Sequence, residues 1–314
     1  MELTNMRKGF IFIGKGGVGK TTCSASLALK LADEGKTLIA SLDPAHNLGD
    51  VYGVELSGKP KLIRENLYAM EVDTDLLTKK YLERTVGKIK DMYSYLKVLN
   101  LDRYVDSLKY SPGIEEYSIL EGLIELISQE YDYIILDMPP TGLTVKVLTL
   151  PYTALIWIDK LMGLRKDILG RRRAIDSITG RKCIVIEGRE VSIPVEEDED
   201  PVMKELQDKK EKMELVRDFL SRKCSIVLVT NPEPLSLFEG QRAIEALKNF
   251  GLDVSKIILN KFVEENEVTR EIESMGRTIR IPLLKELPRG LEQLREISEM
   301  IAEMVDRTAE VRSG

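Results

Sequence analysis

Residues 11–22 read IFIGKGGVGKTT. A β-branched and aromatic run, GFIFI (9–13), leads into a glycine-rich turn, and a helical period follows from Thr21. Gly14-Lys15-Gly16-Gly17-Val18-Gly19-Lys20-Thr21 satisfies G-x-x-x-x-G-K-[ST], and a strand before it with a helix after it is the setting in which that pattern holds phosphates. Glycines let the backbone wrap the phosphates, the N–H groups point inward, and a helix N-terminus favours negative charge. Lys20 is expected to reach the β- and γ-phosphates, the Thr21 hydroxyl to bind Mg²⁺, and Thr22 to hydrogen-bond the α-phosphate. A glycine-rich turn that binds nothing is the competing reading, and the flanking elements weigh against it.

Outward from this loop the chain alternates. TLIASL (37–42), LYAMEV (67–72), YDYIILD (131–137), CSIVLVT (224–230), KIILNKF (256–262) and RTIRIPLL (277–284) read as strands, separated by helical stretches. Thr21–Glu34 reads as a helix ended by Gly35. The last helix, RGLEQLREISEMIAEMVD, sets Leu291, Leu294, Ile297, Ile301 and Met304 on one face. Near-continuous apolar strands between helices predict an α/β fold with a doubly wound, mostly parallel sheet. Residues 75–128 and 152–222 break the alternation. The first is mostly helical; the second holds a helical piece, a hairpin-like alternation about Gly188, and the acidic run Glu196–Asp200, read as a solvated loop and helix start. We read 1–314 as one domain with a helical subdomain built from the two insertions.

Composition agrees. The 314 residues carry a net charge of -6 and are 43% hydrophobic, enough for one large domain. Cys23, Cys183 and Cys224 lie far apart, which reads as reduced thiols in a cytoplasmic protein. The N-terminal stretch has no small-residue cleavage site and so is not read as a signal peptide. The apolar stretch YTALIWIDKLMGL is broken by Asp159 and Lys160, so no membrane-embedded segment is expected. An acidic balance argues against non-specific nucleic-acid binding.

A phosphate loop needs one lysine, and this one has a second at Lys15. KGGVGKT resembles the deviant Walker A of the dimeric NTPases that include MinD, ParA, nitrogenase iron protein and the arsenite-pump ATPases. The resemblance implies that Lys15 crosses a dimer interface and stabilises charge on the partner's transferring phosphoryl group, as an arginine finger does. A surface lysine on a loop is the alternative. LDPAHNLGDVYG (42–53) resembles the switch I of the arsenite-pump and tail-anchored-protein-targeting ATPases. That match implies that Asp43 orients or activates the attacking water and that Asn47 contacts the partner subunit. A carboxylate at a strand end equally suits the outer sphere of Mg²⁺, and a helix-capping aspartate is the plainer reading. His46, the sole histidine, is read as a structural part of the switch.

YIILDMPPTGLTVKVLTLP (133–151) places Asp137 at the end of an apolar strand, as a Walker B carboxylate requires. Pro139, Pro140, Thr141 and Gly142 read as a stiff loop sensing the γ-phosphate. The family pattern D-T-A-P-T-G-H-T-x-R-x-L is matched at Asp137, Pro140, Thr141, Gly142, Thr144 and Leu148; Met138, Pro139, Leu143 and Lys146 depart from it. By the same resemblance Asn260 in ILNKF reads the adenine edge, with Pro282 lining the base; a turn asparagine is the alternative.

The resemblance spans nearly the whole chain and implies a Mg²⁺-dependent ATPase acting as a nucleotide-gated homodimer. Two roles fit within it. One is targeting of tail-anchored membrane proteins, with hydrophobic tails and a membrane receptor as partners. Leu155, Trp157, Ile158, Leu161, Met162 and Ile168 would then wall an apolar groove, though an ordinary core explains them as well. The other is energising arsenite or anion efflux, which the scattered cysteines do not favour. Outside it lies a DNA- or membrane-positioning ATPase, to which the basic stretch GLRKDILGRRR (163–173) points; a salt-bridged, solvated helix is the competing reading.

Overall fold

The computed structural model describes residues 8–45, 47–92, 111–179, 183–186, 189–192, 196–286 and 288–302. The expectations placed on His46, Gly188 and Met304 lie outside the described residues.

The strands are β1 (Lys8–Ile13), β2 (Thr37–Ser41), β3 (Lys61–Arg64), β4 (Leu67–Glu71), β5 (Tyr133–Asp137), β6 (Cys183–Ile186), β7 (Arg189–Ser192), β8 (Cys224–Thr230), β9 (Val254–Phe262) and β10 (Thr278–Pro282). Eight of them form one sheet in the order β10-β9-β8-β1-β5-β2-β4-β3, and β6 and β7 form a separate hairpin. Every neighbouring pair in the large sheet is parallel except β3 with β4. The helices are α1 (Lys20–Leu31), α2 (Leu48–Tyr52), α3 (Thr74–Met92), α4 (Ile114–Ile127), α5 (Thr141–Thr179), α6 (Pro201–Asp218), α7 (Pro234–Lys248), α8 (Glu267–Ser274) and α9 (Gly290–Met300). A single π-helical turn, Phe219–Lys223, links α6 to β8.

The period of two along each strand sorts the core into two layers. Phe10, Phe12, Ile39, Ile135, Val227, Val229 and Ile258 join Leu27 and Leu31 of α1 and Leu294 and Ile297 of α9 on one face. Ile11, Ile13, Leu38, Ala40, Ile134, Leu136, Ile226 and Leu228 join Leu123 of α4, Val147 and Leu148 of α5, Val216 of α6 and Leu237 of α7 on the other. Burial on both faces explains why these strands read as unbroken apolar runs.

The structure departs from the sequence reading in three places. The edge strand β3, which the sequence reading did not include, joins β4 through a two-residue turn in which Asn66 holds φ at 61°. Thr141 and Gly142 are the first residues of a helix, not part of a loop. That helix continues through Pro151 to Thr179, so no boundary falls at 152. Proline removes one N–H donor, and burial of Val147, Leu148, Ala154, Leu155 and Ile158 holds the helix together across it. By length and composition Thr141–Ile178 passes as a candidate membrane span, yet 44% of its apolar window is buried inside the fold.

α5 carries α6 along its side, and α3 packs on α4, which in turn touches α5 and α6. Arg165 of α5 bonds Asp200 through both ends of its guanidinium, at 3.2 and 2.6 Å, and Asp200 also caps α6 by accepting from the Met203 amide at 2.8 Å.

Candidate nucleotide site

Strand register assembles the site. β1 and β2 both flank β5, so Phe12 and Ser41 lie on either side of Asp137 at the strands' C-terminal ends. The chain leaves β1 through Gly14, whose φ is +153° and whose added Cβ would stand 2.2 Å from the Val229 carbonyl oxygen. Gly19 closes the loop at φ +96°, with Asn260 Nδ2 only 2.3 Å from where a Cβ would sit. No side chain caps α1 at Gly19, which leaves its first-turn N–H groups for an anion.

Within this cradle the expected residues meet. Lys20 is almost wholly buried; its Nζ lies 3.6 Å from Asp43 Oδ2 and 3.4 Å from the Lys15 carbonyl oxygen. Asp43 Oδ1 accepts from the Ala45 amide at 3.1 Å, so the switch bends its carboxylate back toward the lysine. Thr21 donates its hydroxyl to Asp137 Oδ2 at 2.7 Å, and Ser41 donates to the same oxygen at 3.1 Å. Thr22 is half-buried in the first turn of α1, Val18 is buried, and Gly16 and Gly17 are exposed at the loop's tip. Lys15 is half-buried, and no carboxylate among the described residues pairs with it.

Asp137 is fully buried, and burial pushes its carboxyl up to about 6 against the opposing hydrogen bonds of Thr21 and Ser41 and the charge of Lys20. Its Oδ1 has no hydrogen-bond partner among the described residues. A buried carboxylate oxygen left open beside a threonine hydroxyl fits a hard cation or its water. No cluster of three or more His, Cys, Asp or Glu able to cage a metal occurs among the described residues. This donor set suits an ion held chiefly by substrate phosphates and water, as Mg²⁺ is.

The far side of the loop holds Asn260, expected to read the adenine edge, beside Lys261, which the sequence reading did not single out. Asn260 donates Nδ2 to the Val18 carbonyl at 2.8 Å, and Lys261 donates Nζ to the Gly17 carbonyl at 3.0 Å. Lys261 takes a left-handed backbone, φ 56°, which is uncommon for a non-glycine residue. Asn260 and Lys261 together strap the phosphate loop from β9. Pro282 is exposed at the end of β10, opposite Phe262 of β9. Asn231 follows β8 two residues after Val229; it is 5% exposed, and its Oδ1 lacks a partner among the described residues. Thr141 Oγ1, at the start of α5 four residues after Asp137, is likewise buried and unpartnered.

The profile of the anion-transporting ATPase family matches residues 7–277. The chain belongs to that family. It is 32% identical to a protein of Aquifex aeolicus (strain VF5) provisionally named arsenical pump-driving ATPase 2, over 93% of this chain and 98% of that one. It is 30% identical to ATPase GET3C of Arabidopsis thaliana over 85% of this chain and 70% of the relative. With an ATPase ASNA1 homolog of Cryptosporidium parvum (strain Iowa II) it shares 32% identity over 80% of this chain and 64% of the relative. The protein is an ATPase of the anion-transporting family, and its phosphate loop, Lys20, Asp43, Thr21 and Asp137 lie together at the strands' C-terminal ends. The two departures from the family pattern in α5 have local partners. Leu143 packs against the core, and Lys146 pairs with Glu116 of α4 at 3.3 Å.

Proposed function

We propose that this protein is a Mg²⁺-dependent, nucleotide-gated homodimer that shields hydrophobic tails of membrane proteins in the cytoplasm. The observation that carries the reading is a row of exposed apolar side chains on α5. Trp157, Leu161, Leu164 and Ile168 are 65%, 47%, 58% and 43% exposed, at the 4-3-4 spacing of one helix face. Of the residues expected to wall a groove, Leu155 and Ile158 belong to the core and Met162 packs against it; Trp157, Leu161 and Ile168 face outward. A row at this spacing offers a helical segment a seam to pack along. It is continuous with the helix that starts at Thr141, beside the site.

In the proposed cycle Lys20 binds the β- and γ-phosphates, Asp43 orients the attacking water, and Lys15 enters the partner's site. When bound, Mg²⁺ supplies charge neutralisation between the β- and γ-phosphates, with the Thr21 hydroxyl and the Asp137 carboxylate positioned to hold it and its water. The α1 N-terminus and the loop amides fix the phosphates in line, Asn260 and Pro282 border the base, and the unpartnered Thr141 hydroxyl stands ready for the γ-phosphate.

The efflux reading draws less support. Burial, with the charge of Asp137, pushes the Cys23 thiol up to about 12, and burial likewise raises that of Cys224. Protonated thiols are poor ligands for a soft metalloid. The basic stretch 163–173 is largely spoken for, since Arg165, Lys166 and Arg173 pair with Asp200, Glu197 and Glu196.

Co-expression with a tail-anchored substrate, in the absence of membranes, tests the reading. A soluble complex should form with the wild type, and Trp157→Ser with Leu161→Ser should lose it while keeping hydrolysis. Recovery of no tail by an active ATPase would end the targeting assignment and leave the ATPase standing.

A further inference from the structure

Beyond Ile168 the outer face of α5 changes character. Ile175 falls roughly 20° from Ile168 and continues the apolar row, and Ile178 falls roughly 80° away on the Arg171 side; they are 58% and 85% exposed. On a helix of 100° per residue, Arg171 and Arg172 fall roughly 60° and 40° to either side of Ile168, flanking the row. Neither has an acidic partner among the described residues. The other cations of this end are committed elsewhere. Lys166 and Arg173 fall roughly 150° from the row and hold the acidic loop, Glu197 at 2.9 Å and Glu196 at 2.6 Å. Arg165 anchors that loop through Asp200, which is wholly buried. The ion pairs therefore tie Glu196, Glu197 and Asp200 of the acidic run to other cations and leave Arg171 and Arg172 beside exposed isoleucines with no acidic partner among the described residues.

We propose that this end of α5, from Ile168 to Ile178, docks on an anionic lipid surface, lying in the plane of the interface. The charge pattern selects this occupant. A uniformly apolar client helix laid along the face would bury the Arg171 guanidinium without a partner, which is costly. At a bilayer the isoleucines enter the acyl boundary while Arg171 and Arg172 extend to the phosphate level, as long basic side chains do. Two arginines and two or three isoleucines make the contact weak and reversible, since stable anchoring takes stronger signals. The docking surface shares only Ile168 with the Trp157–Ile168 row, and the substitutions that test it, at 171, 172, 175 and 178, lie outside that row, so either can fail while the other holds.

The test is co-flotation of the full-length protein with vesicles of phosphatidylcholine alone and of phosphatidylcholine mixed with phosphatidylglycerol. Trp157 is the only tryptophan and lies exposed on the same face, so its emission reports the approach of lipid. Binding is expected to the mixed vesicles only, to fall with added salt, and to shift Trp157 emission to the blue. Arg171→Gln with Arg172→Gln should weaken it roughly thirtyfold, from about 1 kcal/mol per basic residue at an anionic surface. Ile175→Ser with Ile178→Ser should weaken it too, and both variants should keep basal hydrolysis, being remote from the phosphate loop. Failure to float with the mixed vesicles, equal flotation with both kinds, or flotation indifferent to both double substitutions would overturn the proposal.

Discussion

Asp137 sits where two demands conflict. The proposed cycle needs its carboxylate, and the apolar end of β5 penalises that charge. Its pKa is raised, so the folded state holds the proton more tightly than the unfolded chain does. Stability is therefore full below the unfolded value near 4 and falls as pH rises through about 6. A shift of this size amounts to at most about 3 kcal/mol. Asp137→Asn should thus raise the melting temperature of the nucleotide-free protein near neutral pH, with the advantage vanishing at about pH 4, while hydrolysis is lost. Thermal melts of both proteins across that range check the sign; an asparagine variant less stable at neutral pH contradicts it. Asp137 was legible because an aspartate ending an apolar strand after a phosphate loop has few other reasons to be there. Ser41 was not, since its bond to Asp137 depends on β2 lying next to β5, a pairing no local pattern states. Lys261 was hidden differently: its role follows from a left-handed φ that a lysine seldom adopts. Thr141 stood within the loop read as sensing the γ-phosphate, whereas Asn231 is marked out only by burial, with no partner for its Oδ1 among the described residues.

Among the elements, α5 shows where pattern reading stops. Its first half is fixed by the core, and its second by ion pairs to the acidic loop and α6, so one helix carries two environments and no single hydrophobic period. Proline at 151 signals a break to any local reading, and tertiary packing overrides it. The strand β3 was missed for a related reason: as a sheet edge it is half exposed and lacks an apolar run. The Arg165–Asp200 pair is the element-scale joint. Burial pushes the Asp200 carboxyl upward, but the Arg165 hydrogen bonds, the Met203 and Val202 amides and the Arg165 charge outweigh it and hold the group below its ordinary value. A lowered pKa means the contribution is present at neutral pH and is lost as pH falls below about 4. Asp200→Ala removes a helix cap and leaves a guanidinium unpaired, a loss of about 1–3 kcal/mol with the arginine a quarter exposed. Hydrogen exchange should rise in α6 and the outer half of α5 while the sheet stays protected. Uniform exchange across the molecule would show that the joint is not local.

At the scale of the whole molecule, the half-buried Lys15 has no acidic partner among the described residues, and the family resemblance supplies a use for it: a second copy facing the first. The proposed trans role has a consequence that a cis role lacks. Lys15→Ala alone should lower turnover at least about a hundredfold, as loss of a charge-stabilising finger does, and Asp43→Asn alone should also be inactive. Mixed in equal amounts, the two variants pair at random, so half the dimers are hybrids. In a hybrid, the Lys15→Ala subunit keeps its own Asp43 and receives Lys15 from its partner, which restores that one site. The mixture should recover about a quarter of wild-type activity, from half the dimers with one working site of two. A lysine acting within its own subunit predicts no recovery, because each subunit then lacks one of the groups it needs. Specific activity should also rise with protein concentration through the dimerisation range. Turnover that neither complements nor depends on concentration would return Lys15 to being a loop lysine and leave hydrolysis to the single chain.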